Sequence, residues 1–261
     1  MLKFWDKVQM YDLTQVLSHL TPPWPTYEPL QIKFFKRLSS NGANGQVITT
    51  SNHVGTHLDG SLHFCTHGRD IAAIPLTDLI GEGVVVDLSD MAEDYGIYTA
   101  KDITDRVEVK KGDILIINTG YHKYGWDQPE ADEQRYMLKH PGPTRAFAMW
   151  CKEMELKWIG VDCGSADHPM NTKIRDWCPR EAGAADKFLK GKYGKGLDEF
   201  FPPEDYQTMH VHLFPFDIIH AENLGGEIDK ILNKRLIIGC YPWRFEGGES
   251  SISRIVAYDE K

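Results

Sequence analysis

Four of the eleven histidines fall between residues 53 and 67, in a segment that reads His53-Val54-Gly55-Thr56-His57-Leu58-Asp59-Gly60-Ser61-Leu62-His63-Phe64. His53, His57, Asp59 and His63 all carry odd numbers. An extended chain projects these three imidazoles and one carboxylate from one face, while Val54, Leu58, Leu62 and Phe64 point the other way. Neutral imidazoles and a carboxylate converging on one point are a ligand set for a divalent cation. The plainer alternative is a histidine-rich loop holding no ion, but so many polar groups on one face are costly to bury unpaired. His53 and His57 also stand at the i, i+4 spacing of a zincin helix. That reading fails, because no Glu follows His53, and Gly55-Thr56 and Gly60-Ser61 are poor helix interior. A fully extended strand would hold the two Cα atoms about 13 Å apart, near the limit for one shared ion with metal–nitrogen bonds of about 2 Å. The chain must therefore bend, and Gly55 is expected to form a bulge and to leave the ion's face clear.

A second group, His210, His212 and His220, precedes Glu222, which lies twelve residues beyond His210. The intervening run contains Pro215. A straight helix through that proline is disfavoured by about 3 kcal/mol, so a turn at Phe214–Asp217 is expected to bring both ends back to one place. His212 and His220 could be ligands themselves, but read rather as hydrogen-bonded core histidines or as supports for ligands. His67 and His168 could line a pocket, although Gly68 and Pro169 beside them suggest ordinary turns. Asp162 and Asp167 follow a buried strand and could orient imidazoles or cap a helix. Arg244 and Glu249 are weaker candidates for substrate contact. Phe4, Trp5, Phe34, Phe35 and Trp243 are expected in the core.

Several other chemistries lack their motifs. Gly81-Glu82-Gly83 has Val86 where a dinucleotide fingerprint needs its third glycine. Gly191–Gly196 (GKYGKG) lacks the Walker spacing and reads as a surface loop, and Ser165 does not sit in a GxSxG elbow. The five cysteines (Cys65, Cys151, Cys163, Cys178 and Cys240) form no CxxC pair and read as free thiols.

Around these residues the chain must supply a scaffold. Apolar, β-branched runs at Gln46–Thr50, Gly83–Leu88, Asp113–Asn118, Trp158–Asp162, Leu236–Cys240 and Ile252–Tyr258 predict strands, most of them buried. Thr99 caps a predicted helix over Ala100–Arg106. Pro143 opens another, with Phe147, Trp150, Cys151 and Met154 as its apolar stripe, and Glu227–Leu232 forms a short third. Pro22-Pro23-Trp24-Pro25 and Phe201-Pro202-Pro203 are rigid corners rather than linkers. The pattern predicts one α/β domain over residues 1–261 around a mixed sheet. The chain has 261 residues and a net charge of −9, with 41% hydrophobic and 26% charged residues, an ordinary globular composition. It has no apolar stretch long enough for a membrane span, and the charged start Met1–Lys7 does not read as a signal peptide. The acidic balance argues against nucleic acid as a partner. A cytoplasmic protein acting on a small molecule is expected.

The segment HVGTHLDGSLHF resembles the HxGTHxDxPxH signature of the cyclase superfamily of metal-dependent hydrolases, which includes kynurenine formamidases, isatin hydrolases and manganese-dependent γ-lactamases. Asp12-Leu13-Thr14 with Pro23-Trp24-Pro25 resembles the family's N-terminal strand and aromatic loop. Asn118–Tyr121, Gly160–Asp162 with Ser165, and His210 through Glu222-Asn223-Leu224 resemble its later motifs. The resemblance implies a swivelling β/β/α-like fold and direct ligation of a metal ion by His53, His57 and Asp59. His63 then corresponds to the general acid/base, while His210 and Glu222 correspond to ligands of a second ion that Asp59 and Glu222 can bridge. Glu222 is expected to touch the metal in any case, and His210 only if two ions bind. Trp24 matches an aromatic that packs on substrate. The donor set suits Mn²⁺ or Zn²⁺, one ion or two. Implied with it are hydrolysis of a cyclic amide or related C–N bond, and a homo-oligomer, dimer or tetramer. Formamide or lactone hydrolysis on the same site, or a cyclase/dehydratase reaction, are the alternatives. One departure stands out: Gly60-Ser61 occupy the place of a small residue and the signature proline.

Overall fold

The computed structural model describes residues 5–260. Among the described residues there are ten strands: β1 (Val8–Asp12), β2 (Gln31–Lys36), β3 (Gly45–Thr49), β4 (His57–Asp59), β5 (Ile80–Asp87), β6 (Ile114–Asn118), β7 (Trp158–Val161), β8 (Ile219–Glu222), β9 (Lys234–Pro242) and β10 (Ser250–Glu260). Eight of them form one mixed sheet in the order β1-β10-β4-β8-β7-β6-β5-β9, and β9 returns to pair with β10, closing a barrel-like wall. The pairs β5–β6, β6–β7 and β7–β8 are parallel, and the rest of the wall is antiparallel.

The parallel strands explain their own sequences. Val84–Val86, Ile114–Ile117 and Trp158–Ile159 are continuous apolar runs because both faces of this part of the sheet are covered. Alternate residues divide between two cores. Val85, Ile114, Ile116 and Trp158 join Leu58, Ile219, Ala221, Ile238, Ile255 and Ala257 in one. Val84, Val86, Leu115, Ile117 and Ile159 pack on the other side against Phe147, Ala148 and Cys151 of the helix Arg145–Glu153. A smaller cluster holds the helix Pro179–Tyr193, whose Ala185 and Leu189 meet Met170, Ile174 and Phe201.

Some expectations shift. The helix after Pro143 begins only at Arg145, behind Thr144. The helix capped by Thr99 runs Ala100–Thr104, with Thr99 and Asp102 in a capping box. Glu227–Leu232 contains only a 3₁₀ turn, Ile228–Lys230. β3 is not buried: it pairs with β2 alone, and this hairpin exposes Ile32, Phe35, Val47 and Ile48. Phe35 (59% exposed) and Trp243 (62%) are therefore not core, and Phe34 lies half-buried beneath the Arg37 guanidinium. Phe4 and the side chain of Trp5 lie outside the described residues. The GKYGKG stretch divides, its first part finishing the helix Pro179–Tyr193 before Gly194 takes a left-handed φ of 72°. The five cysteines are free. Among the described residues no helix is long and apolar enough to cross a membrane.

Candidate functional site

β4 and β8 lie side by side, with His57 directly opposite Glu222 and Asp59 opposite His220. Because side chains alternate along a strand, these four residues share one face of the ladder. The other donors arrive from loops and turns. His53 precedes β4, in a loop where Val54 bridges Pro23, and Trp24 N donates to His53 O. Only His57–Asp59 of the histidine segment is strand, and Ser61–His63 is a 3₁₀ turn. His63 thus reaches the site by a turn rather than by strand alternation, and Phe64 lines the cavity instead of pointing away. Gly55 does bend the chain, with φ 62°. The space it leaves is filled by Leu17, whose Cδ1 lies 2.9 Å from where a Cβ would stand, so the glycine clears Leu17 and not the ion's face.

His210 lies on the short helix Thr208–Leu213. Phe214–Phe216 forms a 3₁₀ turn and Asp217 takes a left-handed φ, reversing the chain into β8 and bringing Glu222 back beside His210.

Asp59 is the hub. Its Oδ1 lies 3.0 Å from His53 Nδ1 and 3.3 Å from His57 Nε2, and its Oδ2 lies 3.5 Å from His210 Nε2. Glu222 Oε2 is 3.7 Å from His57 Nε2, and its Oε1 is 3.8 Å from His210 Nε2. One donor atom from each of His53, His57 and Asp59 falls within 4.8 Å of the others, and the same holds for Asp59, His63 and His210 and for His210, His220 and Glu222.

The outer contacts fix these donors. His57 Nδ1–H donates to Gly55 O at 2.8 Å, which leaves Nε2 as the free lone pair. Asp167 Oδ2 accepts from His210 Nδ1 at 2.6 Å, turning Nε2 inward, so of the two aspartates considered it is Asp167 that orients a site imidazole. Asp162 instead holds Thr119 and His122. Ala166 N and Ser165 Oγ donate to Glu222 Oε1. Glu249, expected as a substrate contact, does not line the site's cavity but stands behind two histidines, its Oε2 2.7 Å from His63 Nδ1 and 2.9 Å from His53 Nε2.

The arrangement suits a cation. His57 Nε2 and both Asp59 oxygens are buried without a hydrogen-bond partner, although imidazole nitrogens lie 3.0, 3.3 and 3.5 Å from the carboxylate. A carboxylate 1% exposed with neither oxygen satisfied is costly unless a positive charge faces it. The electrostatics agree. Burial disfavours charge on His53, but the Asp59 and Glu249 carboxylates overcome it and push its pKa up to about 10. His210 is likewise pushed up to about 10, burial being outweighed by Asp167 and Asp59. Glu222 is raised, by burial and by the Asp59 charge. The cluster thus draws protons towards its centre, and a divalent ion entering there would displace them.

A cavity of about 180 Å³ opens onto these groups, walled by Trp24, Tyr27, Phe64, Trp177 and Tyr206. Trp24 was the one aromatic marked by the sequence as a substrate contact; Tyr27 follows it in the same loop, Phe64 follows His63, and Trp177 and Tyr206 come from distant segments. His67 is exposed, and His168 is a fully buried N-cap whose Nδ1 accepts from Met170 N. Neither they nor His212 and Arg244 line the cavity. His220 is not the hydrogen-bonded histidine expected: it is wholly buried and both ring nitrogens lack partners.

The chain is similar to known proteins in sequence and in fold. The Cyclase family model, described as "Putative cyclase", matches residues 11–168. A kynurenine formamidase of Erythrobacter litoralis is 28% identical over 167 residues, which are 63% of this chain and 70% of that protein. Isatin hydrolase A from Ralstonia solanacearum superposes with a TM-score of 0.75 at 19% identity, covering 99% of this chain and 94% of the other. A structure titled as a potential metal-dependent hydrolase with cyclase activity superposes with a TM-score of 0.65 at 18% identity, covering 97% and 99%.

Proposed function

The chain belongs to the Cyclase family, and on that premise we propose that it is a metal-dependent hydrolase that adds water across the C–N bond of a small cyclic amide. The observation that carries this reading is the orphaned donor set: His57 Nε2 and both Asp59 oxygens, buried and facing further imidazoles. His53, His57 and Asp59 would hold one Mn²⁺ or Zn²⁺ ion. Asp59, Glu222 and His210 would hold a second where two bind. When bound, the cation supplies the positive charge that acidifies water towards neutral pH and polarises a carbonyl.

The chain's own groups do the rest. His63 lines the cavity beside the donors and serves as general base, taking the proton of the attacking water as the new C–O bond forms. As the C–N bond breaks, the same ring returns that proton to the leaving nitrogen, so the balance is one water consumed. The aromatic walls hold a planar substrate by its faces. A cavity of about 180 Å³ is a little larger than one that encloses a benzene ring, about 150 Å³. The formamidase relative supports a second reading, hydrolysis of an N-formyl arylamine on the same site. The exposed apolar hairpin β2–β3 supports the further reading of a homo-oligomer, since an isolated hairpin is marginal in water.

The test is a panel of lactam, isatin-like, N-formyl and lactone substrates with chelator-stripped protein, before and after adding Mn²⁺ or Zn²⁺. Hydrolysis is expected only with metal, and His63→Asn should keep the ion while losing about 10²–10⁴-fold in kcat. Hydrolysis indifferent to stripping, or none with any substrate, would overturn the reading. Products lacking the added water would favour the cyclase/dehydratase chemistry instead.

A further inference from the structure

Glu249 stands behind two histidines at once, in a loop held firmly to the turn that carries His63. Gly247 takes a left-handed φ of 72°. Gly60 N donates to Glu249 O and Ile71 N to Gly248 O, each at 2.9 Å, so the backbone is clamped on both sides of Ser61–His63. The carboxylate is then fully engaged. Oε2 faces His63 Nδ1 at 2.7 Å and His53 Nε2 at 2.9 Å. Oε1 lies 3.2 Å from His53 Nε2 and accepts from Asn52 Nδ2 at 3.1 Å and Ser250 Oγ at 2.9 Å. The two imidazoles that share it lie with centroids 4.4 Å apart and planes tilted by 35°.

We propose that Glu249 is the positioning residue for His63: it holds the proton on Nδ1 and so keeps Nε2 as the nitrogen offered to the cavity. A neutral imidazole carries one N–H, and the hydrogen bond made by one nitrogen decides what the other can do. An anionic oxygen 2.7 Å from Nδ1 repels a lone pair there and favours the N–H, which leaves Nε2 with the lone pair that a base requires. The carboxylate also stabilises the ring when it becomes imidazolium, the arrangement that carboxylate–histidine pairs adopt in unrelated hydrolases. The same oxygen reaches His53, which links the acid/base ring to the metal-ligand shell through one side chain. The inference rests on the reading above that His63 moves the proton.

The test reads the tautomer directly, by long-range ¹H–¹⁵N spectra of histidine-labelled protein, as purified and after zinc loading, with His63→Asn identifying the signal. His63 is expected as the Nδ1–H tautomer in the wild type and in Glu249→Gln, whose amide oxygen still accepts, and as a mixture in Glu249→Ala. In steady-state assays Glu249→Ala should lower kcat about 10–100-fold, the usual cost of losing an orienting partner, with KM little changed. Glu249→Gln should recover most of that loss. In the His63→Asn background Glu249→Ala should cost nothing further. Three results would each overturn the proposal: an Nε2–H tautomer in the wild type, an undiminished loss in the His63→Asn background, or a loss reversed by excess metal. The last would mean that Glu249 serves His53 alone. The spectra need no turnover, so they decide the role of Glu249 even if no substrate is hydrolysed, an outcome that would count against the hydrolase reading instead.

Discussion

Asp59 carries more of the site's electrostatics than any other side chain, because it alone faces His53, His57 and His210. Burial pushes its pKa up, but the surrounding imidazoles win and hold the carboxyl well below its usual range. It therefore stays an anion that asks for positive charge. Asp59→Asn removes the charge while keeping the shape. Wild-type protein with zinc at about 100 times its Kd should gain about 2.7 kcal/mol, a rise of roughly 5–10 °C in Tm for a chain of this size. Asp59→Asn should show little or no rise, and its metal-free Tm should lie below that of the metal-free wild type, because the imidazoles that hold the carboxyl ionised lose their counter-charge. A zinc-induced rise of full size in the variant, seen by differential scanning fluorimetry, would place the ion elsewhere.

Among the elements, the turn at Gly55 ties His53 to β4. A non-glycine residue at its φ of 62° costs roughly 1–2 kcal/mol, and Gly55 O also holds His57 Nδ1. Gly55→Ala should lower urea stability by about that amount and weaken metal binding. Gly42→Ala, equally left-handed at 67° but with open space around it, should lose stability alone. Equal metal affinity in both variants would separate the turn from the site. What sequence could reveal at this scale depended on locality. His57 and Asp59 were legible because period-2 alternation holds within β4. His63 was legible as a site residue and misread as part of a strand, since Gly60-Ser61 start a 3₁₀ turn that alternation cannot foresee. The helix Pro179–Tyr193 escaped notice because Gly183 and Gly191 interrupt a weak apolar face. β3 looked buried because Val47 and Ile48 are β-branched neighbours, yet nothing covers them. Glu249 was marked only as a candidate for substrate contact, and its place beside the histidines was beyond reach: its partners His53 and His63 are 196 and 186 residues upstream, and only closure of the barrel brings it there.

For the whole molecule, acid stability draws in part on histidines away from the site. His140 and His168 are fully buried, and burial pushes them down to about 4 and about 3. His168 has both nitrogens committed, Nε2–H to Tyr95 O and Nδ1 accepting from Met170 N, so a second proton would break an existing bond. Unfolded, each has a pKa near 6.5. The unfolded chain therefore binds more protons below about pH 6.5, and stability should fall as pH drops from there towards about 4 for His140 and about 3 for His168. Urea midpoints measured across that window should fall less steeply in His168→Asn than in the wild type, and an identical slope would show that His168 does not contribute. The barrel's closure has one more consequence, and it concerns time. β10 pairs with β1, β4 and β9, so the wall that carries the site is finished by the latest-made of its strands. On a ribosome adding about 5–20 residues per second, the His53–Asp59 segment waits on the order of ten seconds or more before Glu222 and Glu249 exist. Through that interval the nascent chain carries an unassembled cluster of imidazoles.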